Sequence, residues 1–351
     1  MMPVDERNPR STQPKAPMIR ILSALAIGLA PMTATSFPSD LLKKPDAWYA
    51  SEDGRKTTAN ILSWQSPQGA WPKNNDTSEK PYSGSREKIE GTFDNKATTD
   101  ELRYLAKAYR ATRDEACKSA FLRGFDHILK AQYPNGGWPQ HVPAKKSDYG
   151  RHVTFNDGAM VRLMEFLGEV AAGDAYSFVD SDRRAAARAA VDRGIDCIVK
   201  CQIVVAGKPT VWCAQHDEVT LAPAKARAYE LPSLSGSESA GIVRFLMDVE
   251  KPSPAVVSAV KSAVAWFEKA KLEGIRIEKV NGDRQVIKDA SAPPQWARFY
   301  DLETGQPFFC DRDGVKKSQL SEIGRERRNG YAWYGSWGES VIREYQKWPH
   351  R

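Results

Sequence analysis

At 351 residues, with 41% apolar and 10% aromatic side chains, the chain can bury a sizeable core in one large domain or two modest ones, which excludes a disordered tail. Its 51 basic against 44 acidic residues give a net charge of +7, spread along the chain rather than gathered in an arm, so a polyanionic partner is expected. There is no zinc-finger spacing, RNP-like signature or Lys/Arg block of five, which leaves acidic polysaccharide ahead of nucleic acid.

The first element is an export signal. Arg20 precedes an apolar run from Ile21 to Leu29, followed by Pro31 and the small triplet Ala34, Thr35 and Ser36. This pattern predicts a secretory signal cleaved near Ser36, with Met18 as an alternative start; residues 1–36 then form a signal or disordered N-terminus and residues 37–351 a single exported domain. The run is too short to cross a bilayer, so no membrane association is expected of the mature form. Cys117, Cys197, Cys201, Cys213 and Cys310 are an odd number without metal-ligand spacing; one or two disulfides, involving Cys201 or Cys213, are compatible with export. The histidines are too scattered for a zinc site.

Next comes a repeat. "ILSWQSPQGAWPKN" from Ile61 returns as "ILKAQYPNGGWPQH" from Ile128, and each Trp-Pro turn is followed by a second element, "TFDNKATTDELRYLAKAYRAT" from Thr92 and "TFNDGAMVRLMEFLGEV" from Thr154. Leu102, Leu105, Ala106 and Tyr109 in the first, and Met160, Leu163, Met164 and Leu167 in the second, fall at i, i+3, i+4, i+7 and predict amphipathic helices. Thr98 with Glu101 predicts a capping box. A weaker third copy runs from Ile198 through "PTVWCAQH" to "SGSESAGIVRFLMDV", with Ile242, Phe245, Leu246 and Val249 at the same spacing.

A further helix is predicted from Pro254 to Gly274, and strand signals are confined to "TVWCAQ" and "RQVIKD". Helix pairs that cannot bury their apolar faces alone imply an all-α fold: a small α/α toroid of three helix-pair repeats with a loop-rich C-terminal region from residue 290 to 338. The Q-x-x-x-G-x-W turns at Gln65–Trp71 and Gln132–Trp138 are similar to the braces of triterpene cyclase barrels. They speak for the ring rather than a reaction, since a cyclase needs a D-x-D-D motif that the chain lacks.

The pairs Asp94-Asn95 and Asn156-Asp157 stand at equivalent points of two repeats, so their side chains are expected in one cleft. Taken singly, each is as readily a helix N-cap. Together, two carboxylates with neighbouring amides suit calcium, and equally suit the acid and base of an inverting glycosidase. Lys225 and Arg227 in "PAKARAYELPSLSGSES", Arg298 in "WARFYD" and Arg312 in "FFCDRDG" favour a substrate bearing repeated carboxylates, because the guanidinium fork matches that group. Arg325, Arg327 and Arg328 read as the cationic end of a helix before an Asn-Gly turn.

The blocks "FDNKATT", "FNDGAM", "KARAYELPSLSGSES", "ARFYD", "DRDG" and "RRNGYAWYG" resemble, in order, those of the pectate lyases of polysaccharide lyase family 10, over about residues 42 to 348. The resemblance implies a partial α/α barrel and calcium-assisted β-elimination on polygalacturonate. It also implies Asp157 and Asp94 at the calcium and catalytic centre, Arg227 and Arg298 as substrate-carboxylate contacts, and Arg312 as the base. Asn95 beside Asp94 and Lys225 beside Arg227 are further candidate substrate contacts, and without a repeated exposed stripe for a dimer a monomer is expected. The alternatives from the residues themselves are the inverting glycosidase using Asp94 and Asp157, and a module that binds acidic glycans without turnover.

Overall fold

The computed structural model describes residues 36–144 and 148–351, so the signal-like run from Ile21 to Leu29 lies outside the described residues. Eight helices organise the chain: α1 Glu52–Ser63, α2 Thr99–Thr112, α3 Glu115–Ala131, α4 Ala159–Ala172, α5 Ser181–Cys201, α6 Gly236–Met247, α7 Pro254–Lys269 and α8 Trp337–Tyr345. The pairs α2–α3, α4–α5 and α6–α7 pack as hairpins. The helices α2, α4, α6 and α8 form one row and α1, α3, α5 and α7 a second, each helix touching the next in its row. This is the α/α toroid, with the three expected helix pairs and a fourth first-row helix, α8, that closes against α6 and α7.

Local chemistry sets these helices. The stripe Leu102, Leu105, Ala106 and Tyr109 is buried, as is Met160, Leu163, Met164 and Leu167. The Thr98–Glu101 capping box starts α2, and the side chains of Asp114, Asp180 and Ser253 cap α3, α5 and α7 by accepting from backbone N–H groups that have no partner within the helix.

The Gln and Trp of the repeat stitch the rows together. Gln65 Nε2 donates to Gly69 O and, across to α3, to Ala120 O; Gln132 Nε2 does the same to Gly136 O and Ala190 O of α5, and Gln202 Nε2 to Thr210 O and Ala259 O of α7. Each Gln therefore ties one second-row helix to the next. Trp71, Trp138 and Trp212 each lie buried and donate Nε1 to the carbonyls of Ile61, Ile128 and Ile198. Gly69 and Gly136 have φ of +113° and +92°, and a Cβ at Gly136 would sit 2.0 Å from Arg193 O, so only glycine fits this turn.

A fourth Trp, Trp296, makes the same bond to Phe267 O. Its place is hidden in the sequence by an inserted hairpin, β1 Ile275–Val280 and β2 Asp283–Lys288, which follows a helix that ends at Lys269 rather than Gly274. "RQVIKD" thus becomes a strand, whereas "TVWCAQ" contributes only Gln215 to a two-residue bridge with Val153–Thr154. The loop-rich C-terminal region has its own core of Tyr229, Phe299, Phe308, Phe309, Leu320, Ile323 and Trp333. All five cysteines are buried free thiols, so the expected disulfides are not formed. Among the described residues, no helix is long and apolar enough to cross a membrane.

Candidate active site

The loops that follow the four tryptophans meet at one end of the toroid, and their hydrogen bonds explain how. Thr92 N, Thr154 N and Ser235 N donate to the carbonyls of Trp71, Trp138 and Trp212. One residue later, Phe93 N, Phe155 N and Gly236 N donate to Gln140 O, Ala214 O and Arg298 O, each two residues beyond the next Trp. Every repeat is clamped by the following one. Counting three residues from Thr92, Thr154 and Ser235 places Asn95, Asp157 and Glu238 at equivalent points, and two residues from each Trp places Lys73, Gln140, Ala214 and Arg298. Those two sets of positions build the site.

Asp94 is buried, and its Oδ2 accepts from Lys73 Nζ at 2.5 Å and from Gln140 Nε2 at 2.8 Å. Its Oδ1 is also buried and has no donor among the described residues, as is true of Gln140 Oε1. Asp157 is about one-third exposed; its Oδ2 accepts from Asn156 Nδ2, and its Oδ1 lies 3.5 Å from Arg298 Nη2. Asn95 and Asp157 both adopt left-handed backbone, φ 52° and 50°, which Asn and Asp tolerate best among residues other than glycine. The two turns that carry these pairs pack together.

Arg298 is buried and donates Nη2 to Asn156 Oδ1 at 3.3 Å and to Glu238 Oε1, with its guanidinium 4.6 Å from the Tyr331 ring centre. Burial works against its charge, but Glu238, Tyr331 and Asp157 outweigh burial and hold it above the ordinary arginine range. Arg227 leans on the Tyr229 and Tyr331 rings at 5.0 and 5.9 Å and is gripped by buried Glu230 through Nε and Nη2. Burial again opposes the charge and the Glu230 carboxylate more than restores it. Tyr331 donates its hydroxyl to Glu230 Oε1 at 2.8 Å, so the ring that lies against both arginines is itself fixed by the carboxylate that grips Arg227. The Tyr149 phenol, raised by burial, lies within electrostatic reach of both Arg227 and Lys73, which joins the arginine side of the cleft to the Asp94 side.

Two sequence expectations change here. Arg312, the base implied by the resemblance, has a side chain 66% exposed and pairs with exposed Glu326 rather than with a buried carboxylate. A turn closed by Asp311 holds it at the rim. Arg327, expected at a solvated helix end, is buried with its guanidinium 4.3 Å from the Tyr229 ring centre; Arg328 instead pairs outward with Asp283 of β2. Lys73, Gln140, Glu230, Glu238 and Tyr331 were not singled out at all, although their offsets from the repeated Trp and Thr/Ser would have found Lys73, Gln140 and Glu238. Asn95 and Lys225 are exposed.

His152, Asp217 and Glu218 also bring potential metal-ligand atoms within 4.8 Å of one another. Glu218 is already held by Arg151 and His152, and Asp217 Oδ1 accepts from Val219 N and Thr220 N, so these groups brace a turn. Beneath it, His216 accepts from Cys213 N at Nε2, which leaves its Nδ1–H to donate to Leu221 O. Burial pushes its pKa down to about 4. The neutral form is the folded form, so this contribution is complete above the unfolded value of about 6.5 and is lost as pH falls from there to about 4. Urea unfolding should show the wild type losing about 3 kcal/mol more than His216→Gln over that interval; equal losses would mean that His216 is not buried neutral.

A family model described as pectic acid lyase matches residues 65–342. The chain belongs to this family. Among solved structures it is similar to a mutant of the family 10 polysaccharide lyase from Cellvibrio cellulosa in complex with trigalacturonic acid, at 34% identity and a TM-score of 0.77, over 90% of this chain and 100% of that one. It is equally similar to the family 10 polysaccharide lyase from Cellvibrio cellulosa in a second structure, at 35% identity and a TM-score of 0.77, over 90% of this chain and 97% of that one. None of the curated proteins compared matches.

Proposed function

We propose that the protein is an exported, monomeric pectate lyase that cleaves α-1,4-polygalacturonate by β-elimination to 4,5-unsaturated oligogalacturonates, with calcium as its cofactor. The observation that carries this reading is the convergence of Arg227 and Arg298 on Tyr331 beside Asp157 and Asp94. Its shape suits an anionic sugar: two oriented forks for uronate carboxylates next to two carboxylates that a neutral-sugar site would not need to offset with arginine.

The oxygen donors fit a hard cation. Asp94 Oδ1 and Gln140 Oε1 are buried and lack donors among the described residues, and Asp157 lies close by at the cleft. Asp94 and Asp157 would hold calcium there. When bound, calcium would add positive charge at the uronate carboxylate and so make the adjacent C5 proton removable.

The chain's own residues do the rest. Arg298, locked by Glu238, neutralises a substrate carboxylate in a dry setting where that charge counts most. Arg227 faces the same cleft; once it has lost a proton to the solvent it takes the C5 proton, the C5–H electrons form the C4–C5 double bond, the C4–O4 bond breaks, and water supplies the proton that the departing O4 gains. Glu230 keeps Arg227 protonated in the resting enzyme, so activity should climb into the alkaline range. Arg312 at the rim and exposed Lys225 and Asn95 contact the chain of sugars.

Purified protein given polygalacturonate and calcium should form products that absorb in the ultraviolet, and a chelator should abolish them. New reducing ends without absorbance, unaffected by chelator, would instead mark the glycosidase, and binding without turnover the glycan-binding module.

A further inference from the structure

Lys73 stands apart from the other cations of the cleft in how it is held. Arg298 is fixed by Glu238, Asn156 and the Tyr331 ring, and Arg227 by Glu230. Among the described residues Lys73 has a single side-chain partner, Asp94 Oδ2 at 2.5 Å, and its side chain is 37% exposed where that of Asp94 is 3% exposed. A lysine is a compact point charge on a flexible stem, so it can leave one carboxylate for another several ångströms away at little cost. Yet Lys73 does not complete the seat it occupies: among the described residues Asp94 Oδ1 stays buried without a donor, and so does Gln140 Oε1 beside it. A buried carboxylate oxygen left in this state is costly unless something else comes to it.

We infer that Lys73 is a movable counter-ion that holds the Asp94 side of the cation seat in the empty enzyme and opposes calcium there until a uronate carboxylate draws its ammonium away. The inference rests on the calcium reading above and adds a direction to it. One positive charge beside Asp94 repels a divalent ion a few ångströms off, and the low exposure of Asp94 leaves that repulsion poorly screened. An arriving uronate offers Lys73 an alternative partner and offers calcium a further oxygen ligand. Substrate and calcium therefore load together, and by reciprocity each raises the affinity for the other. Arg298 cannot play this part, because its guanidinium is buried and pinned on two sides.

The test is calcium binding to the substrate-free protein, measured by calorimetry on wild type, Lys73→Met, Lys73→Arg and Asp94→Asn, each checked for folding by circular dichroism. Lys73→Met should bind calcium about tenfold more tightly than wild type, because the competing charge is gone; Lys73→Arg, which keeps it, should bind like wild type. In turnover, the wild-type calcium midpoint should fall as polygalacturonate is raised, and the Lys73→Met midpoint should fall less, since only the ligand contributed by the uronate still couples the two, with kcat/KM lowered about tenfold by loss of a carboxylate contact. Equal or weaker calcium binding by Lys73→Met overturns the inference and leaves the calcium site standing. If Asp94→Asn binds calcium as wild type does, the seat itself is misplaced and both fall.

Discussion

Arg227→Lys is expected to lower kcat by about three orders of magnitude in a protein that remains folded, whereas Arg312→Lys is expected to cost about tenfold, mostly in KM. The contrast follows from where the two side chains spend their charge. Arg227 lies against two aromatic rings with its fork set by a buried carboxylate, so a lysine ammonium reproduces neither the planar contact nor the direction of the donors. Arg312 is a rim residue whose one side-chain partner among the described residues is exposed Glu326, and charges in such settings contribute little. Steady-state kinetics on polygalacturonate reads both variants. The opposite ranking would return the proton acceptor to Arg312 and leave Arg227 as a binding residue. Arg327 cannot serve as a neutral control, because removing its buried guanidinium would uncover the Tyr229 ring.

Much of the architecture was legible because each repeat writes its own brace. Gln65, Gln132 and Gln202 bond the next second-row helix whatever the intervening loop does, so the motif survives at Gln202 even with a β-turn insertion before Trp212. Trp296 escaped notice because the β1–β2 hairpin separates it from Phe267, and the period was lost with it. The site was half legible for a related reason. Asp94 and Asp157 carry a visible Thr-Phe preface, while Lys73 and Gln140 are marked only by their offset from Trp, a signal that needs the clamp geometry to be understood. Arg327 shows the limit of local reading: "RERRNG" looks solvated, and only the packing of Tyr229 and Tyr331 around one arginine reveals which of three is inside.

Glu238 and Asp157 divide a task that composition does not disclose. Both stand at the third position after the Thr or Ser of their repeats, and both face Arg298, but Glu238 is buried and also receives the Ser235 hydroxyl, whereas Asp157 keeps one-third of its surface exposed. The buried one fixes the arginine. The open one is left to face whatever enters the cleft.

Asp157→Asn is therefore the substitution that separates lyase from hydrolase. Asparagine fits the left-handed backbone at this point, as Asn95 does at the equivalent one with φ 52°, so the change removes charge without straining the turn. Arg298 keeps Glu238 and stays in place. If Asp157 holds calcium, the variant should need about a hundredfold more of the ion for half-maximal rate and should recover much of the lost turnover when calcium is supplied in excess, because one anionic ligand of a hard-cation site has become neutral. If Asp157 were instead the base of an inverting hydrolase, turnover would fall by several orders of magnitude and no calcium concentration would restore it, since the lost group would be the one that activates water. A titration of rate against calcium, for wild type and Asp157→Asn in parallel, distinguishes a shifted midpoint from a lowered plateau, and a lowered plateau with an unchanged midpoint would remove Asp157 from the cation seat.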